Sequence, residues 1–231
     1  MRAERGRLIC LEGGDATGKS TLATLLVEEL RRCGEPACHV SKNQPSAADR
    51  DLCRHLEQLG EALWRYPPGA AIEAWGDEHW LHLLVSWFSV LDRACVQPAL
   101  AAGQSVVVDG WTYKFRARFS LKTQLSAAHV ERCFAHVSRP EQVVLLELEP
   151  EAAAERRSDF KRSECGHLDG HAESDPRSAF VAYQRRVGQR LLELLDAPCV
   201  RVNVARRSSD ELARSIGRTL ARSSGALGLD H

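Results

Sequence analysis

Five short apolar runs, rich in β-branched residues, punctuate the chain at residues 7–12, 37–41, 105–109, 142–148 and 199–204. Between them the apolar positions recur at helical spacing, most clearly Leu22, Leu25, Leu26 and Leu30 after the first run. Strand alternating with helix predicts an α/β fold: a five-stranded parallel sheet with helices on both faces, joined by right-handed crossovers.

Two stretches interrupt the alternation. Residues 46–102, between the second and third runs, are too many for one crossover helix and predict two helices broken near Pro67-Pro68-Gly69. Residues 156–176, after the fourth run, are dense in charge, contain Gly166 and Gly170, and have almost no apolar periodicity. Their place after a strand reads as a mobile lid; composition alone reads equally as a solvated loop. Residues 1–222 form a single expected domain, and 223–231, without pattern, an expected disordered tail.

The 231 residues suit one such domain with a sizeable core. With 31 basic and 31 acidic side chains the formal net charge is zero, so no global field favours nucleic acid or a membrane surface, and a small acidic ligand fits better. Eight cysteines without a C-x-x-C pair read as reduced thiols, and the N-terminal residues lack the apolar core of a secretion signal. The longest apolar stretch, Leu81 to Leu91, is interrupted by His82 and is too short to span a bilayer. A cytoplasmic protein is the expectation. Lysine is scarce: only Lys19, Lys42, Lys114, Lys122 and Lys161 occur, and four of these follow the first four runs. That is the edge at which open α/β sheets bind ligands, although loops are also where lysines ordinarily go.

Chemistry concentrates after the first run. Gly13-Gly14-Asp15-Ala16-Thr17-Gly18-Lys19-Ser20 matches the phosphate-binding pattern G-x-x-x-x-G-K-S/T and lies between a strand and a helix, where such a loop belongs. Its glycines let backbone N–H groups wrap phosphates, and the helix N-terminus adds a positive dipole end. Lys19 is suited to the β- and γ-phosphates and the Ser20 hydroxyl to Mg²⁺. ATP or GTP is therefore expected on a P-loop NTPase fold, held by the residues from Gly13 to Thr21.

Phosphoryl transfer asks for positioning and charge neutralisation. Asp109 ends the third run on the edge beside the loop, a candidate to organise Mg²⁺ with Ser20; starting a turn is the ordinary alternative for such an aspartate. Asp15 repels a triphosphate, which points its carboxylate toward a hydroxyl of a second substrate. Ala16 leaves the loop without a further cation, so compensation is expected from the lid, where Arg156, Arg157, Lys161 and Arg162 are candidates and Arg156 and Arg162 are taken as catalytic. Lys42, Trp111 and Lys114 complete the expected acceptor side, Lys114 being nearer the sheet edge than Arg116 and Arg118. Trp80 and Trp87 share a helical stripe with Leu84 and Leu91 and read as core, leaving Trp111 as the aromatic for ligand contact. Cys165, His167 and His171, and separately His79 with His82, are fragments of metal-ligand spacing, but neither set completes four ligands.

The stretch from Leu11 to Leu22 resembles the thymidylate kinase opening, E-G-x-D-G-x-G-K-S/T-T, whose loop aspartate approaches the deoxyribose 3′-hydroxyl. Pro98 to Asp109 resembles that family's P-A-L-x-x-G-x-x-V-x-x-D, and lid arginines with an empty Ala16 resemble its bacterial form. The resemblance implies an ATP- and Mg²⁺-dependent kinase passing a phosphoryl group to dTMP or a similar nucleoside monophosphate. Departures lie on the acceptor side. Lys42-Asn43-Gln44-Pro45 stands where the family has Arg-Glu-Pro, and Asp109-Gly110 where it has Asp-Arg. The helix motif F-A-x-x-R has no clean counterpart, Asp92-Arg93 lying closer to Pro98 than that motif would.

Asp109-Gly110-Trp111-Thr112-Tyr113 faintly resembles family-two polyphosphate kinases, whose loop continues Gly-Gly where this chain has Ser20-Thr21. A different small-molecule acceptor thus stays open. So does a slowly hydrolysing regulatory module, although no guanine-specifying N-K-x-D occurs. Neither nucleic acid nor membrane is expected as a partner, and a homodimer is an open alternative to a monomer.

Overall fold

The computed structural model describes residues 5–43, 45, 49–65, 70–166 and 175–226. Strands β1 (Leu8–Gly13), β2 (Ala37–Val40), β3 (Ser105–Val108), β4 (Gln142–Glu147) and β5 (Cys199–Asn203) form one parallel sheet in the order β2-β3-β1-β4-β5. These are the five apolar runs, and β1 lies at the centre.

Side chains alternate across β1 and divide the core in two. Leu8 and Cys10 face a layer built from α2 (Arg50–Trp64), α3 (Asp77–Leu91), α5 (Tyr113–Ser120), α6 (Ala127–Phe134) and α8 (Pro176–Leu194). Ile9 and Leu11 face α1 (Lys19–Arg32) and α9 (Ser209–Ala226). The two helices expected between β2 and β3 are α2 and α3; the expected break at Pro67-Pro68-Gly69 lies outside the described residues. Asp49 caps α2 by accepting the Leu52 N–H at 2.8 Å, and Asp175 caps α8 by accepting the Ser178 N–H at 2.9 Å, with Pro176 in the first turn.

Helix α3 continues through a π turn at Asp92–Val96 into α4 (Gln97–Ala101). In that turn the buried Asp92 accepts the N–H and hydroxyl of Ser138 at 3.0 and 2.9 Å. This fixes the carbonyl of Ser138 beneath the segment that follows β3.

Short α7 (Pro150–Glu155) precedes the expected lid. Residues 156–166 of that lid are described, with one 3-10 turn at Arg162–Glu164, and 167–174 lie outside the described residues. Helix α9 continues to Ala226, so residues 223–226, expected in an unpatterned tail, are helical; 227–231 lie outside the described residues. Among the described residues no helix is long and apolar enough to cross a membrane. All eight cysteines are free thiols.

Candidate active site

The loop after β1 exists because Gly13 has no side chain: its φ is 142°, and a Cβ there would stand 2.4 Å from the Leu146 carbonyl of β4. Further on, Ala16 (φ 61°) and Gly18 (φ 84°) take left-handed backbone, the alternation that turns successive N–H groups into one concavity. Buried Lys19 closes the loop from within. Its Nζ donates to the Gly13 carbonyl at 3.1 Å, to the Gly14 carbonyl, and to Thr17 Oγ1 at 3.2 Å. Burial first, then the Lys114 charge, brings the Lys19 pKa down to about 7, with Asp15 pulling the other way.

Asp109, just past β3, is only 2% exposed. Its Oδ2 accepts the Ser20 hydroxyl at 2.6 Å; its Oδ1 accepts the Lys42 N–H at 3.1 Å and lies 3.7 Å from His39 Nε2. Burial pushes this carboxyl up, but the nearby His39 imidazole together with hydrogen bonds from Ser20 and the Lys42 amide outweighs it and holds the pKa below the ordinary aspartate range. A hydroxyl and an ionised carboxylate side by side at a phosphate loop are the hard oxygen donors that Mg²⁺ takes.

Asp15 is bound on every side. Its Oδ1 accepts Lys114 Nζ at 2.6 Å, and its Oδ2 accepts Arg118 Nη2 at 3.3 Å and Gln184 Nε2 at 3.2 Å, while its own N–H donates to Gln184 Oε1 at 3.2 Å. Burial would raise its pKa; the Lys114 and Arg118 charges overcome that and hold it well below the usual carboxylate range. Lys42 joins this cluster. Burial and then Lys114 lower its pKa to about 8, and its ammonium lies 5.7 Å from the centre of the Phe115 ring, where Lys114 lies at 5.9 Å.

Phe115 also lines a cavity of about 600 Å³ enclosed by α2, α3, α5 and α8. Leu56, Leu63, Trp64, Trp80, Leu84, Trp87, Phe119 and Tyr183 form its apolar wall, and Arg118 belongs to both the wall and the Asp15 cluster. Trp64 meets Trp87 edge-on at 6.1 Å, and the indole N–H groups of both are buried without a hydrogen-bond partner. Volume, aromatic lining and a few convergent polar groups are features that small-molecule sites share.

The structure brings Lys19, Ser20, Asp109, Asp15, Lys42 and Lys114 together around the loop. Lys122, paired with Asp77 at 2.7 Å, and Lys161 line the cavity, so all five lysines belong to the loop cluster or to the cavity wall. Arg156 and Arg162 lie outside the loop cluster, Arg162 beside the cavity-lining Glu73. Arg156 donates to the Val204 carbonyl at 3.2 Å, and Arg162 pairs with Glu73.

Trp111 requires a correction. It is fully buried, packs edge-on to Phe88 at 5.2 Å and donates its indole N–H to Ser138 O at 2.8 Å, so it does not line the cavity. The Asp92–Ser138 contacts draw it inward. Trp80 and Trp87, read as core, line the cavity wall instead.

Sequence reasoning assigned no role to Gln184, Tyr183, His39 or Glu12. Glu12, fully buried at the end of β1, accepts the Trp111 N–H at 2.9 Å on Oε1, and its Oε2 has no partner. A buried acid ending an apolar strand, and a lone glutamine on the inward face of α8, were the signals available. Of the candidate metal sets, Cys165 is buried with its thiol on Pro176 O at 3.5 Å, while His167 and His171 lie outside the described residues. His79 packs edge-on to Trp75 and Trp80.

No family model matches the chain. Among curated proteins, the thymidylate kinase of Caenorhabditis elegans is 31% identical over 153 residues, covering 66% of this chain and 68% of its own. That of Homo sapiens is 30% identical over 159 residues, 68% of each chain. That of Danio rerio is 26% identical over 223 residues, 94% of this chain and 90% of its own. Among solved structures, a thymidylate kinase from Candida albicans matches with a TM-score of 0.63 at 18% identity, over 95% of this chain and 93% of that one.

Proposed function

The chain belongs to the thymidylate kinase-like family of P-loop nucleotide kinases, and on that premise we propose that it transfers the γ-phosphoryl group of ATP to the phosphate of a dTMP-like nucleoside monophosphate. The observation that carries this reading is the convergence of Lys19, Lys42 and Lys114 between the phosphate loop and the aromatic cavity. Three ammonium groups sharing a buried site form a receptor for polyanions on both sides of a transfer coordinate.

In this proposal the loop amides and Lys19 hold the β- and γ-phosphates of the donor, Lys19 exchanging its contacts to Gly13, Gly14 and Thr17 for phosphate oxygens. Ser20 and Asp109 would hold Mg²⁺, which when bound neutralises phosphate charge. An acceptor phosphate oxygen bonds to the γ-phosphorus while the β–γ bridging P–O bond breaks, and the electron pair leaves with ADP. Lys42 and Lys114 orient the acceptor phosphate, Arg118 fixes Asp15 beside it, and the nucleobase occupies the cavity among Trp64, Trp87 and Phe115. Of the lid cations, Lys161 lines the cavity; Arg156 and Arg162 would have to leave Val204 and Glu73 to serve as catalytic cations.

A second reading, an acceptor other than dTMP, is favoured by Gly110. It stands where the resembling family carries an arginine, and the Lys42 ammonium lies 3.4 Å from where its Cβ would be. The cation expected at the end of β3 is absent, and the Lys42 ammonium at the end of β2 stands next to the space it would occupy. Lys19→Ala tests the kinase reading: we expect phosphoryl transfer to be lost while the melting temperature is kept, and undiminished turnover would overturn the assignment.

A further inference from the structure

Helices α3 and α6 pack against each other, and four potential ligands cluster where they meet. Glu78 and His82 lie one turn apart on α3; His129 and Cys133 lie one turn apart on α6. Their donor atoms already face one another. Glu78 Oε2 is 3.1 Å from His129 Nε2 and 3.4 Å from His82 Nε2, and Cys133 Sγ is 3.7 Å from His129 Nε2. The ligand atoms of His82, His129 and Cys133 all lie within 4.8 Å of one another.

We propose that Glu78, His82, His129 and Cys133 form a zinc site that staples α3 to α6. A tetrahedral ion with bonds of about 2.0–2.3 Å spaces its ligands roughly 3.3–3.8 Å apart, close to the three separations just given; His82, His129 and Cys133 form the compact group, and Glu78 joins it through the two histidines. Two imidazoles, a thiolate and a carboxylate are a borderline-soft set that favours zinc over magnesium or calcium, and their two negative charges balance the ion. Access is open: the side chains of Glu78 and His82 are 58% and 62% exposed. The site braces the acceptor cavity, because α3 also carries Trp80, Leu84 and Trp87 into its wall. The two-residue spacing of His79 and His82 concealed this arrangement, since the partners of His82 come from another helix.

The test uses the full chain stripped of metal with chelator, titrated with Co²⁺ and then Zn²⁺. We expect one equivalent of Co²⁺ with a thiolate-to-cobalt charge-transfer band and tetrahedral d–d bands, displaced by one equivalent of Zn²⁺, and a rise in melting temperature on zinc addition. Cys133→Ser should abolish the charge-transfer band, and it and His82→Gln should each weaken zinc binding by more than about 100-fold, beyond the effect of losing a hydrogen-bonded neighbour of a ligand. Their metal-free melting temperatures should match the metal-free parent. His79→Gln and Cys165→Ser should bind as the parent does. Absence of stoichiometric binding in the parent, which would leave Glu78 merely bridging two histidines as a surface ion pair, or zinc binding that survives Cys133→Ser, which would place the ion elsewhere, overturns the proposal.

Discussion

Asp15 and Lys114 stand 99 positions apart in the chain and 2.6 Å apart in the fold, and a double-mutant cycle between them tests whether α5 sets the charge state of the phosphate loop. At 2.6 Å an effective dielectric near 20 gives a gross attraction of about 6 kcal/mol. Desolvation of two nearly buried charges offsets most of it, leaving a coupling of about 2 kcal/mol. Asp15→Asn leaves the Lys114 and Arg118 cations facing each other without an anion and should cost about 3 kcal/mol, whereas Lys114→Met leaves Asp15 with Arg118 and Gln184 and should cost about 2 kcal/mol. The double variant should lose about 3 kcal/mol, not about 5. At this chain length Asp15→Asn lowers the melting temperature by roughly 6–12 °C. Urea unfolding at neutral pH without nucleotide is the assay. The pKa of Asp15 is lowered in the fold, so its contribution is complete above the unfolded value of about 4 and is lost as pH falls through the folded value. Single effects that add to within about 0.5 kcal/mol would refute the reasoning.

Free Lys19 loses its proton near pH 7, and a bound phosphate holds it protonated, so nucleotide binding takes up a proton above that pH. Affinity for ADP should fall with rising pH above about 7, by at most about tenfold per unit, with proton uptake visible by calorimetry in buffers of different ionisation enthalpy; a constant affinity and no uptake contradict it. Trp111→Phe leaves the Ser138 carbonyl without its donor and should destabilise by about 2–3 kcal/mol with the acceptor KM unchanged, the reverse of what a ligand-contacting tryptophan would show. Gly110→Ala imposes a side chain at φ 105° against the Lys42 ammonium and should cost about 1–2 kcal/mol in urea unfolding; no loss would mean that the β3 turn relaxes freely.

The central strands β1, β3 and β4 were legible because they are buried on both faces and read as apolar runs, whereas edge strand β5, mostly exposed, showed only through Val200 and Val202. Strand order was not legible, since periodicity carries no information about neighbours. The phosphate loop was legible because its backbone demands glycines and its ligand demands Lys19 and Ser20 at fixed spacing. Cross-chain partners of the site were hidden: Lys114 and Gln184 reach Asp15 from 99 and 169 positions away. Trp111 was misplaced because adjacency to Asp109 said nothing of the Ser138 carbonyl beneath it, which a π turn far upstream holds in place. Trp87 shows that a helical aromatic stripe can be core and cavity wall together: it is 1% exposed and still lines the cavity.

If donor and acceptor sites meet at the lysine cluster, ADP release depends on the acceptor. The chain is incubated with ATP and Mg²⁺ alone, then with dTMP, dUMP, other monophosphates, nucleosides or polyphosphate. We expect negligible ADP release without acceptor and a large stimulation by a nucleoside monophosphate, with the matching diphosphate formed in equal amount. A slow rate that is the same with every acceptor and with none would contradict it and identify a hydrolysing regulatory module instead.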